Sequence, residues 1–256
     1  MQHLTFTNPS PDCPLCPRLC EFRATNRVAF PNYRNAPAPA FGELDAKILI
    51  VGLAPGLHGA NASGRPFTGD YAGQVLYPAL LKHGLAEGHY DATAKTGNLP
   101  EDFRLKHVRI TNAVRCVPPE NKPTPEEIRT CNPFLRDEVA AMPNLRVILS
   151  LGSISHSAVL RAFGLKASAA KFGHAAEYSL YQAPAAAHTV PHMARASGSS
   201  GLATSPEVAH APATAHKITL LDSYHTSRYN INTGRLTVEM FDSITARLAE
   251  LIHAVR

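Results

Sequence analysis

Residues 48–70 read ILIVGLAPGLHGANASGRPFTGD, and this stretch decides the fold. Ile48, Leu49, Ile50 and Val51 form a short, unalternated apolar run, the pattern of a strand buried on both faces of a parallel sheet. From Gly52 to Asp70, five glycines and two prolines then work against regular structure. A long turning loop at the carboxyl end of a central strand is where open α/β folds place ligands. On glycine content alone, an ordinary strand-to-helix connection is an equal reading.

Downstream, Val75, Leu76, Leu80 and Leu81 fall at helical spacing within Tyr71 to His83, so a helix is expected to return onto the sheet. Tyr90 to Lys106 is polar and irregular. Three further strands are expected at His107 to Val114, Leu145 to Gly152 and the segment KITLLDSYH ending at His225. A helix follows from Ser153 to Phe163, and an amphipathic one closes the chain between Leu236 and Val255. Alternating strands and helices predict an α/β fold: a three-layer α/β/α sandwich around a central, mainly parallel four-stranded sheet. Upstream, Arg23 to Asp45 is rich in Pro, Ala and Asn without a period and reads as an extended wrapping segment. Residues 182–215, rich in Ala, His, Ser, Gly and Pro, read as a low-complexity insertion, flexible or disordered, in one domain spanning 1–256.

A chain of 256 residues can bury one good core, and no run approaches the roughly 18 apolar residues that cross a bilayer. The opening MQHLTFTNPSPD lacks a basic-then-apolar signal pattern, so a cytoplasmic, nucleoid-associated protein with no membrane partner is expected. Net charge +5 and thirteen histidines permit a polyanionic partner. Five cysteines without an export signal argue for metal or iron–sulfur ligation rather than disulfides. Cys13 and Cys16 have the C-x-x-C spacing that brings two thiolates to one centre. Cys116 and Cys131 are candidates for the other two. They flank a proline-rich loop and a helix start in which Thr124, Pro125 and Glu127 form a capping box, while Pro133 disturbs that helix just after Cys131. Cys20 is a ligand or a small buried apolar residue, and scattered core thiols are the rival reading of the whole set.

Loops after parallel strands open on one edge, so three polar clusters should meet there. The first holds His58, Asn61, Arg65, Phe67 and Asp70. The second is Thr111 and Asn112, and the third is His225, Ser227, Arg228, Asn230, Asn232 and Arg235. A carboxylate, an amide, an imidazole, an aromatic ring, cations and hydroxyls match a pocket for a planar heterocycle on a nucleic-acid backbone. Plainer roles stand beside each: Asp70 as a helix N-cap, His225 as a satisfied core histidine, Asn112 capping a turn, Phe67 in the core, and the last loop as a solvated surface.

The ordered set CPLCPR, GLAPG with HGAN and GRPFTGD, TNAVRCVPPENKPTPEE, and SYHTSRYNINTGRLT resembles the uracil-DNA glycosylase superfamily, specifically its family 5. The resemblance covers most of the chain outside the insertion. It implies base flipping and hydrolytic removal of uracil from DNA by a monomer, with breadth toward hypoxanthine and xanthine. It also implies a four-iron, four-sulfur (4Fe-4S) cluster on Cys13, Cys16, Cys116 and Cys131, with Cys20 standing where relatives carry an aliphatic residue. By motif position, His225 donates to the uracil O2 side, Asn112 reads the base edge and Phe67 stacks on the ring. Gly52, Leu53, Ala54, Pro55 and Gly56, with His58 and Asn61, surround the nucleotide. Leu53 occupies the place of a polar residue in related families and cannot activate water, which leaves Asp70 to orient water or stabilise the sugar cation. Ser227, Arg228, Tyr229, Asn230 and Arg235 should grip phosphates and fill the vacated stack, and Thr226 stands where proline is frequent. A nucleic-acid-binding module with a structural cluster and no hydrolysis is the alternative function, and zinc is the alternative cofactor.

Overall fold

The computed structural model describes residues 6–91, 100–182, 193–195 and 216–253. In chain order the elements are α1 (Pro17–Ala29), β1 (Ile48–Gly52), α2 (Ala60–Ser63), α3 (Tyr71–Lys82), β2 (Ala86–Glu87), β3 (Arg104–Leu105), β4 (Val108–Asn112), α4 (Pro125–Ala140), β5 (Val147–Leu151), α5 (Ser153–Ala162), β6 (Glu177–Gln182), β7 (Met193–Arg195), β8 (His216–Ser223), α6 (Arg228–Asn232) and α7 (Val238–His253).

The main sheet has the order β4-β1-β5-β8-β6-β7. Its first four strands are parallel and are the four expected from the sequence; β6 and β7 add an antiparallel edge, so the sheet has six strands rather than four. Every residue of β1 is buried, as a central parallel strand requires. Ile48 and Ile50 face a core built with Leu76, Leu80, Phe241 and Leu248 from α3 and α7. Leu49 and Val51 face a second core built with Leu135, Val139, Val159 and Leu160 from α4 and α5. Apolar burial on both faces of the sheet produces the three layers.

Three local expectations are corrected. Residues 23–29, expected to be extended, belong to α1, which starts at Pro17 because a proline at the first helical positions lacks only a hydrogen that no carbonyl needs. Beyond it the chain does wrap: Ala38 N donates to Arg115 O and Phe41 pairs with Ile110. Pro133, expected to disturb the helix just after Cys131, stands inside it. α4 runs through it to Ala140, held by the buried Leu135 and Val139 and started by the expected capping box, with Glu127 N to Thr124 Oγ1 at 3.2 Å and Thr124 N to Glu127 Oε2 at 2.7 Å. The end of the irregular 90–106 stretch holds β3, which pairs antiparallel with β2 ahead of that stretch. Most of the 182–215 insertion lies outside the described residues; within it, β7 pairs with β6.

Register aligns the strand exits. Gly52 pairs with Asn112, and Leu151 pairs with Ser223. All four parallel strands therefore release their loops at one edge, where the polar clusters of the sequence meet.

Candidate active site

A pocket opens at that edge. Its walls are Leu53, Ala54 and Gly56 after β1, Asp70 with Tyr71 and Ala72 at the start of α3, and Leu151 to Ile154 where β5 enters α5. His225, Ser227 and Arg228 after β8, and Asn121, complete it.

Asp70 serves two neighbours at once. Its side chain caps α3, Oδ1 accepting the Gly73 amide at 3.2 Å. Oδ2 lies over the glycine turn, 3.7 Å from where a β-carbon on Gly56 would sit and 3.0 Å from one on Gly59. Burial raises the Asp70 pKa, opposed by the amides of Gly73 and Ala72. The loop that delivers Asp70 is braced by Tyr77, whose buried hydroxyl donates to Pro66 O at 2.6 Å, and by Ser63 and Thr68, whose hydroxyl oxygens are 2.6 Å apart.

His225 follows β8 by two residues. Burial pushes its pKa down to about 4, so the imidazole is neutral at neutral pH, and among the described residues its buried Nδ1 has no hydrogen-bond partner. A buried polar atom without a partner costs on the order of 1–3 kcal/mol and marks a place where a ligand can be bound. Gly152, at φ +96°, passes beside it with room to spare. That backbone conformation suits glycine alone. Asn112 and Phe67 form the layer behind this wall, both buried. They lie directly on Gly52: a β-carbon there would stand 2.5 Å from Asn112 Oδ1 and 2.8 Å from Phe67 Cζ. Gly52 is thus required by close approach.

Other candidates sit elsewhere. His58 is exposed, its Nδ1 3.0 Å from Tyr33 Oη. Asn61 is buried and donates to Asn35 Oδ1 at 2.9 Å, locking the loop to the wrapping segment. Pro55 is buried beside the pocket-lining Ala54 and Gly56. At the mouth, Ser227 caps α6, Asn230 Nδ2 donates to His225 O at 2.8 Å, and the Arg228 guanidinium lies 5.2 Å over the Tyr71 ring. Arg235 covers Tyr224 at 4.7 Å and Tyr229 is exposed. Thr226 is fully buried.

Sequence reasoning missed Tyr71, Asn121 and the β5 exit, although the rule applied to the other strand ends predicts that Gly152, Ser153 and Ile154 share their edge. It also missed a buried network below the pocket. Asp222 accepts Ser150 Oγ at 2.6 Å and lies 2.8 Å from His156 Nδ1. Burial disfavours the charged imidazole of His156, but Asp222 outweighs it and its pKa is raised.

A second pocket gathers the cysteines. Cys13 and Cys16 precede α1, Cys20 lies within it, Cys116 follows β4 and Cys131 is in α4; all line one cavity with Leu19, Val114 and Phe134. All five thiols are free. Burial, then the neighbouring thiolate of Cys131, pushes Cys16 up to about 11 and Cys116 up to about 12. Among the described residues, no set of three or more His, Cys, Asp or Glu side chains is arranged to hold a single metal ion. The donors around this cavity are sulfur, the chemistry that suits iron–sulfur or zinc rather than hard cations. Nearby, Arg18 Nε and Nη2 donate to Glu127 Oε1 and Oε2 at 2.8 and 2.7 Å, one edge of the guanidinium tying α1 to α4.

A three-layer α/β fold with a pocket lined by Asp70, His225, Ser227 and Arg228 at the exits of its parallel strands places its site where α/β enzymes hold their ligands. The family model described as the Uracil DNA glycosylase superfamily matches residues 39–249, and the chain belongs to that superfamily. It is 41% identical over 247 residues to the type-5 uracil-DNA glycosylase of Thermus thermophilus, covering 94% of each chain. It is 34% identical over 248 residues to that of Pyrobaculum aerophilum, covering 95% of this chain and 91% of the relative. To that of Mycobacterium bovis it is 35% identical over 240 residues, covering 91% and 75%.

Proposed function

We propose that the protein excises uracil from DNA by hydrolysing its N-glycosidic bond, leaving an abasic site. The observation that carries this reading is a neutral imidazole, His225, and a carboxylate, Asp70, lining one pocket; the printed names of the type-5 relatives support it.

Breaking the bond leaves negative charge on the base and positive character on the sugar. His225 donates to the base oxygen, where a neutral imidazole in a dry site is a stronger donor than in water. Asp70 opposes the sugar cation or orients water from the start of α3, where its Oδ1 accepts the Gly73 amide. Asn112 reads the base edge from behind Gly52. With Leu53 unable to activate water, a dissociative route needs only the charge complement that Asp70 provides. Ser227 and Arg228 stand at the mouth to meet phosphates of the flipped strand. Hypoxanthine and xanthine, with the same lactam oxygens, are further substrates.

We assign Cys13, Cys16, Cys116 and Cys131 to a 4Fe-4S cluster. When bound it supplies structural cross-linking, since glycosidic hydrolysis transfers no electron. The four residues join the segment before α1 to α4 and to the β4 exit beside the pocket.

The test is alkali-revealed strand nicking on matched duplexes carrying uracil, hypoxanthine or xanthine. No nicking on any duplex, or an undiminished abasic-site yield in both Asp70→Ala and His225→Ala, overturns the reading in favour of a binding module.

A further inference from the structure

We propose that Arg23 is the positioning residue of the cysteine pocket, binding and electrically balancing the cluster through hydrogen bonds from its guanidinium to cysteine sulfur. The inference rests on the cluster assignment above.

Arg23 lies on α1 and is only 6% exposed. Its Nη1 is 3.6 Å from Cys116 Sγ, and its Nη2 is 3.6 Å from Cys20 Sγ and 2.9 Å from the Cys13 carbonyl. One planar fork therefore touches two separate segments of the pocket, the turn into α1 and the loop after β4. Leu19 and Asn26, also buried, show that this face of the helix turns inward.

The partners are unusual for a buried arginine. Among the described residues, its hydrogen bonds go to two sulfurs and a carbonyl, and the ion pairs of α1 belong instead to Arg18 and Arg27. A buried cation without a counter-charge is costly. Of the two sulfurs, Cys116 Sγ belongs to the assigned ligand set and Cys20 Sγ does not. Four ligand thiolates around a cluster carry net negative charge spread over sulfur, and that anion, met through Cys116, supplies the missing partner. The guanidinium holds Cys116 and Cys20 from two nitrogens of one rigid plane, whereas an ammonium is a compact point charge on a flexible stem without that fork. Hydrogen bonds to the sulfurs and local net charge set both retention and potential of such clusters.

The experiment prepares wild type, Arg23→Gln and Arg23→Lys without air. It measures iron and acid-labile sulfide per chain, the lifetime of the visible absorbance under a chelator, the midpoint potential by voltammetry, and the thermal midpoint. Arg23→Gln should lose its absorbance about tenfold faster, and its surviving cluster should reduce at a more negative potential. Arg23→Lys keeps the charge but not the fork: its potential should stay near wild type while its lifetime falls. A lowered thermal midpoint with unmoved potential and lifetime would assign Arg23 a merely structural role and overturn the proposal. If Arg23→Gln does not accumulate folded, a wild-type lifetime in Arg23→Lys overturns it equally. Wild type that carries no iron removes the cluster assignment itself, a result distinct from either.

Discussion

The imidazole of His225 lies against the ring of Phe67, centroids 5.9 Å apart and planes 26° from parallel. Phe67 reaches this position from a left-handed backbone, φ +56°, with its far edge on Gly52. The ring that the sequence offers as a platform for the base packs its face against the histidine. Phe67→Leu keeps the bulk and removes the flat face, so we expect kcat for uracil release to fall about tenfold to a hundredfold with KM little changed. Steady-state kinetics on a uracil duplex checks this; a change confined to KM would return the ring to base stacking.

Asp70→Asn separates chemistry from architecture. Asparagine caps helices as well as aspartate does, and burial raises the carboxyl pKa, so keeping the carboxylate ionised costs folding stability that the neutral amide does not. We expect the thermal midpoint to hold or rise while excision falls by about a hundredfold or more. Asp70→Ala, which also removes the cap, should in addition lose about 1 kcal/mol of stability by denaturant titration.

The depressed pKa of His225 has a definite sign in the pH dependence of stability. Above an unfolded value near 6.5 both states are neutral and the group contributes no difference. As pH falls from there toward about 4, the unfolded chain takes up a proton that the folded protein refuses, and stability is lost. The loss approaches about 3 kcal/mol below both values. Denaturant titrations near neutrality and in mild acid should show wild type falling more steeply than His225→Gln; parallel curves would contradict a buried neutral imidazole.

Gly52→Ala places a methyl in contact with both Asn112 Oδ1 and Phe67. Such overpacking costs about 1–3 kcal/mol. The folded fraction should be measurable by circular dichroism yet nearly inactive, because the displaced groups, Asn112 and Phe67, lie directly on the glycine turn that leads into the pocket.

Glu138 is wholly buried between two cations, Arg109 Nε at 2.6 Å and Arg115 Nη2 at 2.5 Å. Glu138→Ala would leave two buried guanidinium groups without their anion and cost about 3–5 kcal/mol. Calorimetry should show a much lower midpoint, and a change within the range of surface substitutions would refute the role of this pair in joining β4 to α4.

The parallel strands and their common edge were legible because each is a short apolar run closed by glycine or a polar residue. α1 was not, because PRLCEFRATNRVA buries Leu19, Arg23 and Asn26; a helix whose inward face is mostly polar leaves no apolar stripe for periodicity to reveal. The edge strands β6 and β7 escaped for a related reason. EYSLYQ is half-buried and runs into a stretch whose composition signals no strand. Within the pocket, residue type picked out Asp70, His225, Ser227 and Arg228. It also picked His58 and Asn61, whose side chains point to Tyr33 and Asn35, since composition carries no information on orientation. The Ser150–His156–Asp222 network was hidden because its members lie far apart in the chain and meet only through the pairing of β5 with β8.

The double engagement of Asp70 also bears on how such a chain can diverge. One oxygen starts α3 and the other faces the pocket, so a codon change that removes the carboxylate and its cap together disables the reaction and loosens a helix in the same step. Asparagine, one codon change away, removes the carboxylate and keeps a full-strength cap. A lineage that abandons excision but keeps the fold should therefore pass through asparagine at this position, leaving a recognisable trace of lost activity.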